Sequence, residues 1–479
     1  MAIIGEKITL DKPLVGNIAR NQMESKMELA TRGALYVGTG KKTEVTPDGG
    51  GDKVPIPETL HIAPNGASDN DKVLVADSTQ GVGWRVDICP KATTATTATT
   101  AEKAAGYSQG GEIEAALEEI KARLTVLEER SVLAKIYGVD KVGSENPDAL
   151  VRTDDAVGLN VTVGTSEITS DFDNCYPWCD MQDVTDASGN VFIRIPKFYS
   201  KITKNADGTY KHQLSGTRHE GFTTLFVDGK SNEIDYVLVG KYEGSGDYSQ
   251  IYSKSGQAVC TKKEGGNFRT ACKANGAGYQ QYDFLIDLII KELWLVEMKT
   301  TNSQSIMAGY VWPSVYVVTG TGKTDTVKTP SGSPESNTDG KHACKYRGIE
   351  NLWGNALTWC DGISFSAEKV YVCTDPASYG SGKIDAPYVY QGNRTTYDGD
   401  IKKVEPLGQN PLIQYITTVQ GGATNDTYFG DEGSAGGSIL LVGGSVHDHF
   451  DAGLWCWDGS YQASASYDYI GCRLCYKPL

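Results

Sequence analysis

One segment, "GGEIEAALEEIKARLTVLEERSVL", constrains this chain more than any other stretch. Ile113, Leu117, Ile120, Leu124 and Leu127 recur at spacings of 4, 3, 4 and 3, so every a and d position of a heptad is apolar. Charges fill the other faces. A stripe this narrow is a coiled-coil seam, because a helix resting on a globular core carries a wider apolar face. The competing arrangement is a single amphipathic helix laid on such a core. Leu at a with Ile at d favours more than two strands.

Within that segment "RLTVLE", Arg123 to Glu128, resembles the Arg-hydrophobic-x-x-hydrophobic-Glu trimerisation motif, in which Arg pairs with Glu of a neighbouring helix. Ile113, Leu117, Ile120, Arg123, Leu124, Leu127 and Glu128 are therefore expected to hold a parallel homotrimer. The text on either side differs in kind. Residues 1–90 are polar and Gly-rich, with a short helix expected at Asn21–Ala30 and strands at Gly33–Gly40 and in "DKVLVAD". Residues 91–108 hold the Ala-Thr-Thr repeats of a low-complexity linker. The coiled coil takes 109–133. Residues 134–479 read as one α+β domain of short strands and long loops.

In that domain "VFIRIPKFY" (Val191–Tyr199) and "YVLVGKYE" (Tyr236–Glu243) alternate like strands. "DFLIDLIIKELWLVEM" reads as a buried helix. Asp283, Asp287 and Lys291 are spaced by four and are expected to form its one wet stripe.

Charge narrows the function classes. A net charge of −15 argues against nucleic acid, whose phosphates need a basic footprint, and against anionic membrane surfaces. The most apolar run carries Asp287, Lys291 and Glu292, so membrane insertion is not expected. No secretory leader is apparent at the start of the sequence. The 11 cysteines are scattered and read mostly as reduced, buried thiols. No His-Glu-x-x-His, nucleophile elbow, P-loop or dinucleotide fingerprint occurs, so neither an enzyme nor a cofactor is expected. His447 and His449 could share a strand face and chelate a metal, but that spacing is generic, and no metal is expected.

The most unusual text is "GGSVHDHFDAGLWCWDGSYQASASYDYIGCRL", Gly443 to Leu474. A rigid frame of Gly443, Gly444, Gly453, Leu454, Trp455, Trp457, Gly471 and Arg473 encloses a mixed filling. Together with "YRGIENLWGNALTWCDGI" (Tyr346–Ile363), the blocks "LLVGGSV", "AGLWCW" and "IGCRLCY" occur in an order that resembles the C-type-lectin fold of the formylglycine-generating-enzyme-like superfamily. Gly354, Asn355 and Trp359, then Gly443, Gly444 and Ser445, then Gly471 and Arg473 match its blocks. Leu357, Thr358, Val446 and Cys472 depart from them. Over about 135–479 the chain resembles, more specifically, the variable proteins of diversity-generating retroelements, especially bacteriophage receptor-binding proteins.

That resemblance implies a virion protein assembled in the host cytoplasm, attached through residues 1–90 to other tail or virion proteins. It would bind a bacterial cell-surface protein or glycan through a diversified region at about 443–474. The implied contact residues are His447, Asp448, His449, Phe450, Asp451, Trp455, Cys456, Trp457, Asp458, Ser460, Tyr461, Ser464, Ser466, Tyr467, Asp468 and Tyr469. Tyr supplies contact area at low entropic cost and Ser adaptable hydrogen bonds. A buried-core role suits Leu454, Trp455 and Trp457 equally well. Two other readings stand beside this one: a structural fibre protein without a ligand, and a cysteine-dependent oxidase using Cys456 and Cys472.

Overall fold

The computed structural model describes residues 132–144, 146, 149–395, 399–420, 428–429 and 439–478, with six short strands before residue 89 and residues 118 and 121. The chain forms two compact units, Met1–Leu127 and Glu128–Leu479.

In the first unit the described strands pair antiparallel: Met27–Ala30 with Ala34–Val37, Glu44–Val45 with Val54–Pro55, and Lys72–Ala76 with Trp84–Ile88. The strands expected in "GALYVGTG" and "DKVLVAD" are there. The helix expected at Asn21–Ala30 is corrected, since Met27–Ala30 is a strand. A ten-residue helix is marginal alone, and pairing with Ala34–Val37 meets the same backbone demand. Ile113, Leu117, Ile120, Arg123, Leu124, Leu127 and Glu128 lie outside the described residues, as does the linker 91–108.

The second unit is mostly strand, with two bounded α-helices among the described residues: α1 (Gly265–Lys273) and α2 (Phe284–Met298). The strands that position the site are β1 (Val191–Pro196), β2 (Tyr236–Gly240), β3 (Tyr279–Gln281), β4 (Leu357–Cys360), β5 (Leu440–Gly443), β6 (Gly453–Asp458), β7 (Ile470–Gly471) and β8 (Leu474–Tyr476). One sheet runs Gln182–Thr185, β1, β2, β8, β3. A second runs β6, β5, β4, β7, with β7 parallel to β4. Strands β7 and β8, at the end of the unusual stretch, therefore join two different sheets. Pro196, which has no N–H to give, ends β1.

Helix α2 is the spine of this unit, and all of its 15 residues are buried. Asp283 caps it by accepting the Ile286 amide at 2.9 Å, and Lys299 ends it in the left-handed region at φ 56. The expected wet stripe does not exist. Asp287 and Lys291 are buried and pair with each other at 2.6 Å. The other charges are tied outward to neighbouring elements. Glu292 meets the His212 ring at 2.9 Å and accepts from Gln414 at 2.9 Å. Glu297 takes Arg347 and the Tyr346 hydroxyl. Asp283 also receives Lys477 at 2.6 Å and the Tyr379 hydroxyl at 2.9 Å. Buried charge is tolerable only when paired and hydrogen-bonded, and each of these carboxylates is. The helix and its cap are thus bolted to five distant parts of the chain.

Candidate functional site

The frame of the unusual stretch is built from positions where a side chain has no room. Gly443 and Gly444 have φ of 91 and 72. A Cβ on Gly443 would come within 2.5 Å of the Leu352 carbonyl, and one on Gly444 within 2.6 Å of the Ala452 Cα. Strand β6 is anchored from inside. The Trp457 indole donates to Asp287 of α2 at 2.7 Å, and the Leu454 amide to the Ser303 hydroxyl at 2.9 Å. Gln304 holds the turn before β6 by donating to the His449 carbonyl at 2.8 Å. Arg473 donates to the carbonyls of Gly240, Glu350 and Asn351 at 2.8, 2.7 and 2.7 Å, which locks β7–β8 against β2.

Asn355 is the hub. It is buried, in the left-handed region at φ 57. Its amide bonds the Tyr310 carbonyl at 2.9 Å, its carbonyl the Val446 amide at 3.1 Å, and its side-chain oxygen the Thr319 amide at 2.8 Å. Its side-chain nitrogen donates to Glu243 at 2.6 Å. Burial pushes the Glu243 carboxyl up to about 7, against the pull of Arg473 and the Asn351 and Asn355 donors.

The expected contact residues divide into three groups. Trp455, Cys456 and Trp457 are corrected: all three are buried in β6, whose two faces are both covered, so they belong to the frame. Asp448 and Asp458 are turn staples. Asp448 accepts the Ser445 amide at 2.6 Å, and burial pushes its carboxyl up while Ser445 pulls it down. Asp458 accepts from the Ser460 amide and hydroxyl at 2.9 and 2.6 Å, which keeps Ser460 in the same turn. His447, Asp451, Ser464, Ser466, Tyr467 and Asp468 are exposed, and His449, Tyr461 and Tyr469 half-buried. Phe450 lies in a short 3-10 turn, His449–Asp451, and its side chain lies outside the described set.

The outward-facing rings form a continuous run. Tyr461 meets Tyr467 edge-on at 5.8 Å, and Tyr467 stacks on Tyr469 at 5.3 Å. Tyr469 meets His447 at 5.0 Å, and Tyr316 stacks against both His447 and His449 at 5.8 and 5.4 Å. Trp312 closes the run on His449 at 5.0 Å. The Tyr461 hydroxyl lies 3.3 Å from that of Tyr469. At the other edge Lys262 donates its amide to the Tyr467 carbonyl at 3.0 Å and its ammonium sits 3.6 Å from Asp468.

Trp312, Tyr316 and Lys262 escaped sequence reasoning. In the run "YVWPSVYVV" (Tyr310–Val318), Pro313 argues against a central strand, but nothing in the sequence shows that the loop meets the terminal stretch. Both His447 and His449 stack on Tyr316, and no group of three or more His, Cys, Asp or Glu with metal-holding geometry occurs among the described residues. Cys456 neighbours Asp448, Asp458, Asp451 and Lys291, whereas Cys472 neighbours Cys272, Cys260 and Arg473, so the two thiols keep different company. Nine of the ten described cysteines are buried, as expected of structural thiols, and Cys179 is exposed.

No protein-family model matches this chain, and no curated protein sequence matches it. Among solved structures, one described as "Major Tropism Determinant U1 Variant" aligns at 11% identity with a TM-score of 0.24, covering 72% of this chain and 72% of that chain. A TM-score of that size does not establish a common fold.

Proposed function

We propose that this chain is a non-catalytic, cofactor-free receptor-binding protein of a bacteriophage virion. Its C-terminal lectin-like domain binds a bacterial surface ligand through a diversified site. The observation that carries this reading is the ring run over an immobile frame: exposed Tyr, His, Ser and Asp sit on turns whose geometry is set by Gly443, Gly444, β6 and Arg473. The face can change residue by residue while the core below it stays the same. An aromatic-rich exposed patch of this kind marks an interaction site. The blocks quoted above, by their resemblance, point to the retroelement-diversified branch. A trimer held by the 113–128 stripe would present three weak sites together, and avidity of about 10²–10⁴ would make a site assembled by chance useful. Residues 1–90 would join it to the virion.

Replacing Tyr461, Tyr467, Asp468 and Tyr469 together is expected to abolish or retarget adsorption to host cells with the assembly intact. Unchanged adsorption would leave a structural fibre protein. Diversification has its own test in the flanking DNA. A near-copy of the 443–474 coding stretch, beside a reverse-transcriptase gene and differing where the copy has adenine, is expected. Its absence would leave a site of fixed specificity.

A further inference from the structure

The ring run crosses from the terminal stretch onto Tyr310–Val318, a loop more than 120 residues upstream by sequence number. This loop is pinned at both ends by one residue: the Asn355 amide holds the Tyr310 carbonyl, and the Asn355 side chain takes the Thr319 amide. The same Asn355 holds Val446, where the exposed stretch begins. Trp312 is further fixed by its amide to the Gly340 carbonyl at 2.7 Å. Between these pins the loop exposes Trp312 (46%), Val315 (66%), Tyr316 (41%) and Val317 (59%).

We propose that the Tyr310–Val318 loop is the second half of the binding surface, and that its partner is a protein presenting apolar side chains edged by lysine or arginine. The proposal rests on the receptor-binding reading above and assigns that ligand a class. Two observations select protein over glycan. Val315 and Val317 offer methyl groups, which reward apolar partner side chains and give sugar hydroxyls nothing to bond. The ring faces a sugar would stack on are already partly occupied, with Tyr316 against two imidazoles and Tyr467 against Tyr469. Charge supplies the rest. Asp339, which His342 approaches at 3.0 Å, Asp468, 3.6 Å from Lys262, and Asp451 edge the surface with Lys341, on a chain of net charge −15. A partner with a basic rim is complementary to that edge.

The test uses the labelled full-length chain and intact bacterial cells, chosen from a panel as those the wild type adsorbs to. Adsorption is expected to disappear after protease treatment of the cells, to survive periodate oxidation, and to weaken as salt rises. The double variant Val315→Ser with Val317→Ser is expected to bind about tenfold or more weakly, at unchanged oligomeric mass and melting temperature. Adsorption that survives protease overturns the protein assignment. If the double variant adsorbs like wild type while Tyr467→Ser with Tyr469→Ser does not, the loop is no part of the site and the receptor-binding reading stands alone. A change in oligomeric mass in the double variant would mean that a second copy covers the valines, which also overturns the proposal. A wild type that adsorbs to no cell removes the receptor-binding reading and this one with it.

Discussion

Lys291→Met should be among the most damaging single substitutions in the second unit, since Lys291 is buried in the spine helix. Lys291 and Asp287 are 3% and 2% exposed. Met keeps the stem and removes the cation, leaving the Asp287 carboxylate with two neutral donors, Trp457 at 2.7 Å and Tyr282 at 3.2 Å. Breaking a buried pair from one side costs about 3–5 kcal/mol. Loss of the ammonium over the Trp457 ring, 4.8 Å from its centroid, adds to it. The double variant Lys291→Met with Asp287→Asn removes the stranded charge, while the Asn carbonyl still accepts from Trp457 and its NH2 faces the Tyr282 hydroxyl, so no buried charge is left unpaired. The double should therefore be more stable than the single. Urea unfolding followed by tryptophan fluorescence measures this order, since seven of the eight tryptophans lie in the second unit. A single variant within about 1 kcal/mol of wild type, or a double less stable than the single, would refute the reasoning.

Three further outcomes are expected. The Glu243 carboxyl sits at about 7 when folded against 4.5 when free. Its contribution is therefore largest below pH 4.5, falls by about 3 kcal/mol as pH rises through 4.5–7, and is flat above. Glu243→Gln should remove that slope from a stability–pH profile. Gly444→Ala places a Cβ 2.6 Å from the Ala452 Cα in the left-handed region and should cost about 2–4 kcal/mol in a thermal melt. Tyr467→Ser changes a half-exposed residue and should leave stability within about 0.5 kcal/mol, while reducing adsorption.

Helix α2 shows both what the sequence makes legible and what it hides. Its extent follows from the apolar run Phe284–Met298, while Asp283, expected on a wet stripe, is its cap. The fate of Asp287 and Lys291 does not follow, because spacing by four puts two charges on one face whether that face meets water or Trp457. Strand β6 fails for the complementary reason. Alternation reports inside from outside only when one face of a sheet is wet, and every residue of β6 is buried. Composition therefore could not separate Trp455, Cys456 and Trp457 from true contact residues. The frame glycines were readable because their geometry excludes other residues. The Tyr310–Val318 loop was not, because Pro313 marks it as a break in a ladder but its meeting with the terminal stretch is a property of the whole fold.

Strand β8 comes after the exposed stretch in the chain, yet it lies between β2 and β3, which precede it by roughly 200 residues. Synthesis must run through every position from His447 to Tyr469 before that sheet has the strand that joins β2 to β3. A stop codon written anywhere in that interval deletes β7 and β8 together with Arg473, and with them the closure of two sheets. Such a product would be left with unpaired strand edges and be open to proteolysis. Only chains read through to β8 carry both sheets whole.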